Sequence, residues 1–155
     1  MKLIALRHQC LVTSLFVVLT WPILSLAEQK EMADEIRQFF NAYNASFEKG
    51  PEAIAEFYSA PCITARMGVP NLNVTREDTA RFFGPVLEKY RARGWAYGEI
   101  LNLEHHPLGV NSTLATVRWA YKDKAGNTMW EWTFSYNLYK REGSWKILLQ
   151  TMHDS

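Results

Sequence analysis

Apolar residues recur every three to four positions in the middle of the chain and every second position over its last third. That change of period divides the sequence into a helical part followed by a strand part. Ile36, Phe39, Phe40, Tyr43 and Phe47 form one apolar stripe with charges opposite, which predicts an amphipathic helix from Glu28 to about Phe47. Gly50-Pro51 ends it and opens a second short helix, in which Ile54, Phe57 and Tyr58 share a face. After Pro61, CITARM reads as a short strand and GVPNLNV as a loop. The run TRED, Thr75 to Asp78, resembles a capping box and starts a third helix. Its buried stripe is Phe82, Phe83, Val86, Leu87 and Tyr90, and Gly84-Pro85 predicts a kink or a split within it.

From Trp95 onward four strands are predicted, at about 95–105, 113–121, 128–138 and 145–153. The loops between them are short, so the strands form an antiparallel meander. Three N-terminal helices followed by such a sheet make an α+β domain, with the helices on one face of a curved sheet.

The alternation also predicts pairing. Trp130, Trp132, Phe134, Tyr136 and Leu138 share one face of their strand. Setting Trp119 opposite Trp130 and Val117 opposite Trp132 aligns two apolar faces and brings Arg118 against Glu131 on the other side. In the last hairpin the same logic sets Leu138 opposite Trp145, Phe134 opposite Leu149 and Trp130 opposite His153. In the first hairpin it sets Leu101 opposite Val117 and Glu99 opposite Trp119. One row then crosses the inner face: Glu99, Trp119, Trp130, His153. Its ends lie about 14 Å apart on a flat sheet and closer on a curved one. On the outer face Thr133, Ser135, Asn137 and Lys146 are polar, with Leu148 and Met152 leaving a modest apolar patch.

The N-terminal segment changes the picture of where this domain works. Lys2 and Arg7 precede the apolar run CLVTSLFVVLTWPILSL, and Ser25 and Ala27 supply small residues before the polar EQKEMADE. This is the pattern of a secretory signal peptide cut after Ala27, so the expected domain is 28–155 and the expected location periplasmic or extracellular. The alternative is an uncleaved anchor, for which the apolar run is short. Cleavage leaves 15 basic and 16 acidic residues, a near-neutral chain with no basic surface for nucleic acid and no stable hold on a membrane. Cys10 departs with the leader and Cys62 is left without an intrachain partner.

Candidate chemistry is sparse. His153 and Glu99 are the acid–base candidates, each with a bland alternative: His153 as a rim residue stacked on Trp130, Glu99 as a solvated strand start. Arg66 either faces solvent or anchors an anion, because an unpaired guanidinium turned inward is costly. His105 and His106 point to opposite faces of a strand and cannot chelate together; with no HExxH and no cysteine pair, neither metal nor cofactor is expected.

The segments FFNAYNASFEKG, EFYSAP, TRED and GSWKI, in this order, resemble the nuclear transport factor 2-like superfamily, which includes SnoaL-like cyclases and ketosteroid isomerases. The resemblance spans about 30–153. It implies a cone-shaped, cystatin-like roll with a cavity between helices and sheet, and homodimerisation through the outer sheet face. It also implies an acid just after the second helix in enzymatic members, where this chain has Ala60 and Pro61 instead. Tyr43 resembles, by its element, the isomerases' oxyanion-stabilising tyrosine. The expected function is therefore binding of a small apolar or aromatic molecule by Trp119, Trp130, Trp132, Tyr58, Phe134 and Arg66. The alternatives are a cofactor-free acid–base enzyme using His153, Glu99 and Tyr43, or an assembly domain. A cavity filled by its own side chains would count against binding.

Overall fold

A computed structural model describes residues 25–154. Residues 1–24, most of the expected leader, lie outside the described residues. Helix α1 spans Leu26–Lys49, α2 Pro51–Ala55 and α3 Arg76–Ala92. Six strands, β1 Tyr58–Arg66, β2 Val69–Asn73, β3 Tyr97–Gly109, β4 Ser112–Lys122, β5 Thr128–Arg141 and β6 Ser144–Met152, form one sheet in the order β2-β1-β6-β5-β4-β3. Only β1 and β6 pair in parallel. The expected α+β architecture, helices first and a curled sheet after, is what the chain adopts.

Local chemistry accounts for the element ends. Ser25 and Glu28 close a capping box at the start of α1, and Thr75 with Asp78 does the same at α3, with reciprocal bonds of 3.0 and 3.1 Å. Gly50 at φ 118° ends α1, and Pro51 follows as the first residue of α2. Two tight hairpins are set by consecutive residues at positive φ, Met67-Gly68 and Glu142-Gly143, the backbone that a two-residue turn between twisted strands requires.

Three local expectations change. α3 continues through Pro85 as a single helix. The segment read as a loop, GVPNLNV, contributes β2, because Cys62 to Arg66 offers it a strand edge. α2 stops at Ala55, so Tyr58 begins β1 instead of riding on a helix.

The register changes more. On β4 and β5 the face assignment holds but the pairing slides by two, setting Trp119 opposite Trp132 and Tyr121 opposite Trp130. Arg118 is therefore opposite Thr133, and it reaches Glu131 diagonally, Nε to Oε2 at 2.9 Å. In the outer two hairpins an unpaired residue breaks the alternation. Leu101 is extra on β3, so Ile100 faces Trp119 while Glu99 lies opposite Ala120. Leu148 is extra on β6, so Ile147 pairs with Leu138 but Leu149 pairs with Asn137. Beyond that bulge Gln150 and Met152 point inward, opposite Tyr136 and Phe134. Met152, expected on the outer face, is buried.

The core lies between α1 and the concave sheet face. Ile36, Phe40 and Tyr43 are fully or almost fully buried there against Trp119 and Tyr136, with ring centroids 4.9 to 6.3 Å apart. A polar tie fixes the same helix at its other end. The Glu35 carboxylate accepts from Lys140 Nζ at 2.7 and 2.9 Å and from Trp145 Nε1 at 2.8 Å. These hydrogen bonds hold its pKa below the ordinary 4.5, with Lys140 contributing most and burial opposing. A lowered folded pKa means stabilisation that is complete above the unfolded value and lost as pH falls through the folded one. Glu35→Gln should therefore flatten the fall of Tm with acidification below pH 4.5. At neutral pH it should cost about 1 kcal/mol. Parallel Tm–pH curves for the two proteins would show that this tie does not stabilise the fold.

Candidate functional site

Between α1, α3 and the sheet the side chains leave a slim cavity. It holds about 50 Å³ of space for the centre of a water-sized sphere, and about 680 Å³ of interatomic space with its open mouth included. Tyr43, Asn44 and Phe47 of α1 form one wall, Phe82, Phe83, Val86 and Tyr90 of α3 another. The sheet contributes Trp119 and Tyr121 from β4, Phe134 and Tyr136 from β5, and Gln150 and Met152 from β6. Thr64, Ala65 and Arg66, at the end of β1, complete the lining together with Trp95 and Gly98. Gly98 is required by a close approach: its carbonyl accepts from Asn44 Nδ2 at 2.7 Å, and a Cβ there would come within 2.4 Å of Asn44 Oδ1.

Polar groups in this apolar space are tied together in one direction. Tyr58 donates its hydroxyl hydrogen to Gln150 Oε1. Having one hydrogen, it must accept at its oxygen from Tyr43, 2.8 Å away. Tyr136, whose ring packs against Tyr43 at 6.1 Å, accepts separately from Trp119 Nε1 at 3.2 Å. The relay thus runs from Tyr43 through Tyr58 to the Gln150 amide carbonyl. Burial, and secondarily the neighbouring phenols, raises the pKa of Tyr43, Tyr58 and Tyr136 well above 10.0, so all three stay neutral. The Gln150 amide N–H₂ has no acceptor among the described residues.

The residues expected from sequence divide sharply. Trp119, Phe134, Arg66 and Tyr43 line the cavity. Tyr58 stands one layer behind, touching the lining through Tyr43 and Gln150. Trp130 is not in the lining: Tyr121 stacks on it at 5.3 Å and 16°, Tyr90 packs at 5.6 Å, and the Arg93 guanidinium sits 4.2 Å over its ring. Trp132, opposite Trp119, packs at the core's edge and also stays out of the lining.

The two acid–base candidates leave the cavity altogether. The Leu148 bulge turns His153 to the outer face, exposed, with Nε2 2.8 Å from Ser135 Oγ. The Leu101 bulge turns Glu99 to the same outer face, where its carboxylate pairs with Lys122 at 3.0 Å. The row Glu99–Trp119–Trp130–His153 does not form. Among the described residues, no group of three His, Cys, Asp or Glu side chains gathers to hold a metal. Gln150, Tyr90 and Asn44 are among the lining residues that the sequence reading does not single out as site residues. Tyr90 had a signal in the α3 stripe; Gln150 had none, because the alternation alone turns it outward.

This fold has relatives. A family model described as "NTF2-like protein (DUF6841)" matches residues 34–155. The chain belongs to that family. A putative calcium/calmodulin dependent protein kinase II association domain from Xanthomonas campestris is 19% identical, covering 77% of this chain and 85% of its own, with a TM-score of 0.60. An NTF-2 like protein of unknown function from Shewanella oneidensis MR-1 is 16% identical, over 79% and 99% of the two chains, at 0.62. An NTF2-like protein with a cystatin-like fold from Novosphingobium aromaticivorans is 15% identical, over 81% and 83%, at 0.65. No curated protein matches the chain. Likeness at these identities establishes the fold and leaves activity to the site itself.

The relay makes a measurable claim about stability. Tyr43→Phe removes the donor to Tyr58 while keeping the ring. It should cost about 1–3 kcal/mol in denaturant unfolding. A loss below about 0.5 kcal/mol would mean that the buried hydroxyls find other partners.

Proposed function

We propose that this NTF2-like domain binds a small, largely apolar molecule in the cavity between α3 and the sheet, and performs no acid–base chemistry there. The observation that carries the reading is the composition of the lining. Among the described residues it has no carboxylate, histidine, lysine or thiol, and its phenols are held neutral by burial. General acid–base catalysis needs a group that gains and loses a proton near the operating pH and within reach of the reacting atom. Neither His153 nor Glu99 reaches the cavity from the outer face. A SnoaL-like or isomerase-like reaction is accordingly the weaker reading of this site. The aromatic walls, by contrast, suit a flat or slender apolar body, and the slim volume limits it to about one ring or a short chain.

Indole is a suitable probe. Titration should shift the NMR signals of cavity residues such as Trp119 and Gln150, and Val86→Phe, which fills the space from α3, should abolish those shifts without lowering Tm. Shifts that survive Val86→Phe would locate binding elsewhere, and no shift from indole or a panel of lipophilic metabolites would end the proposal.

We also propose that the domain acts after export. Support comes from the N-terminal pattern of basic, apolar and small residues. Cleavage after Ala27 would remove Ser25, the residue that caps α1. N-terminal sequencing of protein recovered outside the cytoplasm should begin at Glu28; an intact N-terminus would instead mean that the leader is retained.

A further inference from the structure

Resting on the binding reading above, we infer that the ligand is an anion, a small apolar molecule bearing one carboxylate, and that Arg66 receives that carboxylate while the apolar body lies in the cavity. Three observations converge on this class. Arg66 is the only side chain of the lining with a full charge. It follows Cys62 and Thr64 at strand spacing, so it shares their inward face at the end of β1, and it is exposed where the cavity opens. Among the described residues it forms no ion pair, so its guanidinium is open toward the cavity it lines. A guanidinium left unpaired beside an apolar cavity is an open two-pronged donor matched to a planar carboxylate.

The surroundings strengthen the positive character of that end. Arg93, held over Trp130, is likewise without an acidic partner among the described residues. Burial raises the pKa of the Tyr90 phenol, and the Arg66 and Arg93 guanidinia both oppose that rise. Among the described residues, two donors of the lining are also left over. The Gln150 amide N–H₂ has no acceptor, and neither does the indole N–H of Trp95, another lining residue. A neutral hydrocarbon would leave the guanidinium without a partner, and a cationic ligand would be repelled by Arg66. A monoanion satisfies the charge with one contact, and its one unit balances the single cation of the lining.

The test uses two acids and their neutral amides, phenylacetate with phenylacetamide and hexanoate with hexanamide, titrated into the protein and into Arg66→Met, Arg66→Lys and Arg141→Gln. Affinity is read by calorimetry and location by NMR shifts of cavity residues. Each acid should bind about tenfold or more tightly than its amide. Arg66→Met should erase that ratio, Arg66→Lys should keep part of it, and Arg141→Gln, a surface cation on β5, should leave it intact. Equal affinity of acids and amides at the cavity would overturn the anion inference and leave the binding reading standing. Acid preference that persists in Arg66→Met would assign the carboxylate to another cation and overturn it as well. If none of the four molecules shifts a cavity signal, the inference and the binding reading on which it rests both fall.

Discussion

Leu148 has no partner on β5, and strand side chains alternate with period two, so this one residue reverses the face of everything after it on β6. Before the bulge Trp145 and Ile147 are buried; after it Gln150 and Met152 are. The amide of Gln150 thereby enters the apolar interior, where it needs a donor for its carbonyl, and Tyr58 supplies one. Tyr43 in turn donates to the Tyr58 oxygen, so two phenols and the amide form one buried chain of hydrogen bonds. A single extra residue in one hairpin thus determines the polarity of the cavity floor. It also removes His153 from that floor.

The aromatic packing on the helix side answers a different constraint. A concave sheet and a straight helix do not match in shape, and large rings fill the wedge between them. Phe40, Tyr43, Trp119 and Tyr136 meet edge-on or tilted over β4 and β5. Toward α3 the wedge widens and Phe82, Phe83 and Tyr90 line it without filling it. The cavity is therefore what remains of the same geometry that builds the core. Its mouth lies beside the end of β1, where Arg66 stands at the last position before the tight turn into β2.

Much of this was legible along the chain, and the misses share a cause. The helix stripes, the capping box at Thr75 and the alternation in β4 and β5 all depend on neighbours within a few residues, and the structure has them. The α3 stripe pointed to Phe82, Phe83 and Tyr90, and the strand alternation to Trp119 and Phe134. Glu99 and His153 were misjudged because each is separated from its supposed partner by a bulge. A bulge leaves no mark in the hydrophobic pattern when the extra residue is itself apolar, as Leu101 and Leu148 are. Trp130 was misjudged for another reason. Its place on the inner face was read correctly, but whether a ring lines space or is covered depends on Tyr90, Arg93 and Tyr121 arriving from elsewhere.

What the sequence determined by itself was the order of elements, the α+β class, the parity of the central hairpin and the aromatic character of the interior. These follow from periodicity and local sterics, which act over a few residues. Tertiary structure alone decided which end residues of the outer hairpins face inward, which indoles stay covered, and that the cavity's charged group is an arginine without a carboxylate beside it. Those outcomes depend on register and on contacts between residues distant along the chain, such as Tyr58 with Gln150 and Tyr90 with Trp130. No local pattern encodes them, because their energy arises only once the sheet has curled and α3 has closed over it.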